Sequence, residues 1–303
     1  MTRSQSHAVR WAVRCIGFVI FGYLLHKIGP DKLWQTIRSV EPVYFFVALP
    51  IFFAMIGVKT LKMRYLMRHR LPFSELYDLN AFGFSVGSVT PGRLGEFSKI
   101  IFLSRFGVPV SESFAVTLID RLSDVIGMIV CAVFGLYIFF GDVAGHIGVT
   151  VVLFVVAAGT VLWFSDRILR RILWGKLKEL VELEGAAIRS YIRQTSVDIW
   201  GLTLGCTAVY LGLYFLQMWI LARGLHLPIS YIQTTMAISA SAVPAILPIS
   251  VFNVGPRDYV LTKIFENMGW GAEGGLALST MILFLFLVNG IFGLFFIPRR
   301  PAA

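Results

Sequence analysis

The chain is 303 residues long, 57% hydrophobic and 15% charged, with a mean hydropathy of +0.76. Soluble domains carry about a quarter charged residues, so this balance excludes a soluble enzyme or binding module and describes an integral membrane protein. The net charge of +10 has to be read by position, because basic residues beside membrane spans report orientation before they report partners.

The start, "MTRSQSHAVRWAVRCIGFVIFGYLL", has a basic lead and an apolar run, but no small-x-small cleavage site follows it. A retained first helix is expected over 11–27. Spanning helices need about 20 apolar residues, and further spans are expected at 43–60, 113–140, 147–164, 199–222 and 272–297. Two other hydrophobic regions, 75–107 and 231–268, are interrupted. Each holds a Gly/Pro break followed by a short helical piece, 94–106 and 256–268. At 1.5 Å per residue such pieces reach only about 20 Å, short of the roughly 30 Å hydrocarbon core, so both regions read as re-entrant hairpins. Residues 165–194 place apolar residues at helical spacing opposite a basic face and read as a cytosolic interfacial helix. The expected fold is therefore an all-α polytopic membrane protein of about six spans plus two hairpins. The chain divides into a first unit at about 43–140, a linker and amphipathic segment at 147–198, and a second unit at about 199–297.

With the N-terminus inside and each hairpin returning to the side it entered, seventeen basic residues fall on the cytosolic side, Lys59 and Lys62 among them. Four (Lys27, Lys32, Arg38, Arg223) fall opposite. This bias puts both termini in the cytosol and removes the reason to consider nucleic acid. Cys15, Cys131 and Cys206 all lie in apolar runs, and the five histidines lack ligand spacing; no disulfide, metal or cofactor is implied.

The two broken regions resemble each other. "SVTPGRLGEF" and "SVFNVGPRDYV" share Ser-Val, a Gly/Pro pair, Arg, an acid and an aromatic in order. From Glu96 and Asp258 onward a constant offset pairs Phe97 with Tyr259, Gly107 with Gly269 and Ala115 with Ala277. Because the two units start on opposite sides, they are expected to form an inverted repeat whose broken helices meet near mid-membrane, an arrangement used by transporters.

Charges gather at these breaks: Arg93, Glu96, Lys99, Asp120, Arg121, Asp124, Arg257 and Asp258. Unpaired, each would cost at least about 2.5 kcal/mol at mid-membrane depth, so they must pair or face a polar cavity. Gly92, Gly95 and Gly255 allow the backbone to turn and to approach a ligand closely. A short-helix N-terminus with an adjacent guanidinium suits a phosphate. The candidate binding set is Arg93, Glu96, Asp120, Arg121, Asp124, Arg257 and Asp258 with those three glycines. The competing reading, that these residues only brace the hairpins as ion pairs, stays open.

At "PGRLGEFSKIIFLSRFG…SFAVTLIDRLSDVIG" the chain resembles the lysylphosphatidylglycerol synthase transmembrane, or flippase-like, family of bacterial and archaeal membrane proteins. The family pattern Pro-Gly-Arg-x-Gly-Glu is intact at Pro91, Gly92, Arg93, Gly95 and Glu96. Its Glu-Arg-x-x-Asp reads Asp120, Arg121, Asp124, with Asp for Glu. Its second break, Gly-x-Gly-x-Arg-Glu, keeps Gly255 and Arg257, with Asp258 for the acid and Pro256 at a variable position. The resemblance implies a prokaryotic cytoplasmic-membrane protein that moves or presents lipids. Synthase members carry a soluble aminoacyltransferase domain that this sequence lacks, so lipid aminoacylation is not expected of it.

The leading expectation is a non-enzymatic flippase for a lipid with an anionic or phosphate-bearing head group. A second copy or a lipid-modifying enzyme is the further partner class considered. An intramembrane enzyme acting on lipid phosphates would need a nucleophile-base pair or a metal cluster, and neither is visible in the sequence. A non-transporting scaffold for a lipid-modifying partner is the third reading.

Overall fold

The computed structural model describes residues 40–164, 190–242 and 254–296, with isolated positions between 26 and 38. The first helix expected at 11–27 and most of the amphipathic segment, 165–189, lie outside the described residues. So do Pro244, Pro248 and Asn253 of the second break.

Every regular element among the described residues is helical. α1 (Pro42–Leu66) opens with Pro42 in its first turn, where a missing N–H costs nothing. α2 (Phe73–Val89) leads into a 3-10 segment (Pro91–Ser98), α3 (Lys99–Arg105) and α4 (Val110–Phe164). α5 (Val197–Gly224), α6 (Tyr231–Ala242), α7 (Pro256–Asn267) and α8 (Ala272–Leu294) complete the chain. Among the described residues four helices are long and apolar enough to cross a membrane: Pro42–Leu66, Val110–Phe139 within α4, Val197–Gly224 and Ala272–Leu294. Along α4, Leu122, Ile126, Val130 and Phe134 are exposed at four-residue spacing, an apolar stripe for lipid on the side away from Asp120 and Asp124.

Two expectations change. The spans expected at 113–140 and 147–164 are one continuous helix of 55 residues, because the intervening "GDVAGH" holds no proline to stop it. The span expected at 43–60 runs on to Leu66. Lys59 and Lys62, counted above as cytosolic flanking charges, therefore lie in the last two turns of a spanning helix and are buried.

α1 and α5 run antiparallel along each other. The Glu41 N–H at the start of α1 donates to the Gly224 carbonyl at the end of α5 (3.1 Å), Gln217 Nε2 donates to the Ala48 carbonyl (2.8 Å), and Lys62 Nζ reaches Thr207 Oγ1 (3.3 Å). The remaining packing is reciprocal. α2 lies on α8 as α6 lies on α4, α3 on α4 as α7 on α8, and α1 on α2 as α5 on α6. The crossings on the hairpin arms are tight in both halves. A Cβ on Gly293 of α8 would lie 2.5 Å from the Ala81 carbonyl oxygen of α2, and one on Gly135 of α4 would lie 2.5 Å from that of Met236 on α6.

Both short helices also end alike. Gly107 (φ 78°) and Gly269 (φ 71°) adopt the left-handed conformation that glycine tolerates best. Their N–H groups donate to Ser104 and Glu266, and the next N–H groups donate to Leu103 and Phe265, the turn with which many helices close. The pairing of Gly107 with Gly269 read from the sequence is thus a pairing of identical turns.

Candidate functional site

The first break is built on small residues of α2. A Cβ on Gly83 would lie 2.6 Å from Lys99 Cε, and one on Gly87 would lie 2.7 Å from Glu96 Cγ. The "GFSVG" spacing therefore does more than let helices approach: it opens a channel along α2 in which two charged side chains of the returning arm lie flat. Gly95 has the same logic for the backbone, since its Cβ would sit 2.3 Å from the Val86 carbonyl oxygen. Thr90 Oγ1 accepts the Gly95 N–H (2.7 Å), so one of the donors at this N-terminus is already satisfied from within.

Those side chains join a buried network spread over three further segments. Glu96 Oε1 accepts from Arg121 Nη1 (3.0 Å), and its other oxygen lies 3.7 Å from Lys59 Nζ and 4.0 Å from Lys99 Nζ. Lys59 pairs with Asp124 (2.6 Å) and Asp120 (3.4 Å), and its ammonium also sits 5.0 Å from the centre of the Tyr210 ring. Lys62 pairs with both Asp120 and Asp124 at 2.7 Å. Lys99 Nζ donates to Asn80 Oδ1 (2.7 Å) and Asp120 Oδ2 (3.4 Å). Asp120 and Asp124, four apart, face the same way from α4, as helical spacing requires.

Arg93 stands at the edge of this network. Its guanidinium approaches Glu96 Oε1 only to 3.9 Å, too far for a hydrogen bond, while lying 5.4 and 5.5 Å from the ring centres of Phe84 and Phe286. Its side chain is 20% exposed, against 0–5% for the three lysines. Its backbone is left-handed (φ 56°), a conformation that costs a non-glycine residue roughly 1–3 kcal/mol and that gathers at functional positions. Gly92 lies in the same 3-10 segment.

At the second break the described residues close on one another. Arg257 donates through Nε (3.1 Å) and Nη2 (2.9 Å) to Asp258 Oδ1, and through Nη2 to the Ser279 carbonyl (3.1 Å). Ser279 Oγ donates to the same carboxylate oxygen. Asp258 Oδ2 accepts the Gly255 N–H (2.8 Å), the reach-back half of a capping box, and Gly255 holds the left-handed φ of 97° that starts the helix. This helix N-terminus, expected above to suit a phosphate, is partly satisfied from within, because its own third residue takes the Gly255 N–H.

The structure thus gathers Arg93, Glu96, Asp120, Arg121 and Asp124 into one cluster and places Arg257 with Asp258 in another. The clusters are neighbours. Arg93 touches Phe286 and Arg257 touches Ser279, about two turns apart on one face of α8, roughly 10 Å. Lys59, Lys62, Asn80 and Ser279 were missed by sequence reading. The available signal was the three-residue spacing of Lys59 and Lys62, one turn apart on one helix face.

The family model for the lysylphosphatidylglycerol synthase TM region matches residues 11–293. The chain belongs to this family. Among curated proteins none matches it. Membership makes it a multi-pass membrane protein of a family concerned with lipid modification or translocation, and Arg93, Glu96, Asp120, Arg121 and Asp124 of the charged network are motif residues that carried the resemblance.

Proposed function

We propose that this family member is a lipid translocase that carries an anionic or phosphate-bearing head group past Arg93, with the acyl or isoprenoid tails left in the bilayer. The observation that carries the reading is the charge balance around the first break. Arg93, Lys59, Lys62, Lys99 and Arg121 meet only Glu96, Asp120 and Asp124 in contacts of 4.0 Å or less. The cationic excess ends at Arg93, the cation of this network that has no carboxylate at hydrogen-bond distance among the described residues. Intramembrane charge of this kind marks substrate pathways.

The two units are read as an inverted repeat. Antiparallel α1 and α5, together with reciprocal packing elsewhere, are what a two-fold axis across the helices produces. Rocking of one unit against the other would expose the Arg93 region to each leaflet in turn. Arg257 with Asp258 acts as a brace in this scheme rather than as a first contact. The protein acts without chemistry of its own, in a prokaryotic cytoplasmic membrane with both termini cytosolic.

The test is reconstitution into liposomes with fluorescent lipids and a quencher outside. The wild-type protein should move lipid between leaflets and return it chemically unchanged by mass spectrometry. Arg93→Ala should stop movement while leaving a folded, monodisperse protein. Undiminished transport by that variant would remove Arg93 from the pathway, and a changed lipid would make the protein an enzyme.

A further inference from the structure

We infer that the head group taken at Arg93 is a phosphate monoester bearing two negative charges, rather than a phosphodiester bearing one. This rests on the translocase reading for its lipid and on the charge balance for its charge. Among the described residues the linked network holds five cations and three carboxylates, an excess of two, and the adjoining Arg257 and Asp258 cancel.

Uncompensated charge inside a bilayer or a protein interior is costly. A dianion entering beside Arg93 brings the site to neutrality, a phosphodiester leaves one positive charge, and a zwitterion leaves two. A cationic aminoacyl lipid would raise the excess. The donors match as well. A monoester offers three terminal oxygens, Arg93 presents a planar fork suited to two of them, and Arg257 Nη1 is buried with no hydrogen-bond acceptor among the described residues. Arg93 packs on Phe286 and Arg257 on Ser279 of the same helix, so a second donor lies about two turns along α8 from Arg93.

The experiment measures binding of phosphatidate, phosphatidylglycerol and inorganic phosphate to the purified full chain in nanodiscs at about pH 8, above the monoester's second ionisation near 6. Phosphatidate should bind about tenfold tighter than phosphatidylglycerol, the equivalent of one charge-assisted hydrogen bond, and inorganic phosphate should compete poorly. Equal affinity for the two lipids overturns the inference, and inorganic phosphate competing as well as phosphatidate overturns its lipid source. Arg93→Gln should bring the ratio of the two lipids close to one, and Arg93→Lys should keep it. A general loss of fold would weaken both lipids together and lower the unfolding midpoint, so an unchanged ratio in an Arg93→Gln protein that keeps its midpoint counts against the charge count. Preference without movement in liposomes would sink the translocase reading and keep the head-group class; movement without preference would do the reverse.

Discussion

The two breaks carry the same residue types in the same order, yet they fold into opposite electrical states. At the first, Arg93 stays partly exposed on a strained backbone beside a network with excess positive charge. At the second, Arg257 is 4% exposed and closed on Asp258 and Ser279. The difference comes from what stands behind each hairpin. Keeping the spacing that pairs Glu96 with Asp258, the positions matching Asp120, Arg121 and Asp124 are Ile282, Leu283 and Phe286. The first stretch lines a charged chamber, and the matching stretch an apolar wall whose Phe286 packs against Arg93.

This contrast can be broken most directly at the arginines. Arg257→Ala leaves the Asp258 carboxylate buried without its cation and should destabilise the protein by about 3–5 kcal/mol, read as a lower unfolding midpoint in detergent. Arg93→Ala should lower the midpoint far less. Reversed effects would mean that the first arginine is the brace and the second the free group. Asp120→Asn should cost roughly 3 kcal/mol, since three lysines share that carboxylate.

Smaller substitutions sharpen the comparison. Gly95→Ala drives a methyl into the Val86 carbonyl and should cost about 1–3 kcal/mol, whereas Gly201→Ala, with nothing within 4 Å, should be neutral or slightly stabilising in its helix. Arg93→Gly relieves the left-handed backbone and should raise stability by up to about 1 kcal/mol while abolishing transport, a separation of stability from function that no glycine substitution at Arg257 would give.

The smallest expected effect lies away from both breaks. Tyr191 donates its phenol to the Leu66 carbonyl at the end of α1, and burial, then the Glu112 carboxylate, push its pKa up to about 12. The unfolded chain ionises this group near 10, so the stabilisation it lends is intact below that pH and is lost between about 10 and 12. A difference ultraviolet titration against Tyr191→Phe should find this one phenol still protonated at about pH 11, and the substitution itself should cost about 1 kcal/mol.

Much of the site was legible before any coordinates. "PGRLGEF" and "IDRLSD" place an acid, an arginine and two aspartates where helical spacing forces them onto shared faces, and Glu96, Asp120, Arg121 and Asp124 do meet. The hairpin ends were legible too, because Gly107 and Gly269 perform the same local turn. Lys59 and Lys62 were not: a lysine in the final turns of an apolar helix reads the same whether it reaches for water or for a carboxylate on another helix. The uninterrupted course of α4 was hidden for a related reason, since glycine and a single acid permit a turn without requiring one.

Composition and periodicity alone determined that the chain is helical, lies in a membrane and is broken twice, because hydrocarbon leaves the backbone no alternative to satisfying its own hydrogen bonds. Only the tertiary structure decided which charges neutralise one another. Ion pairing depends on distances of a few ångströms between residues as many as 65 positions apart, and no local pattern records them.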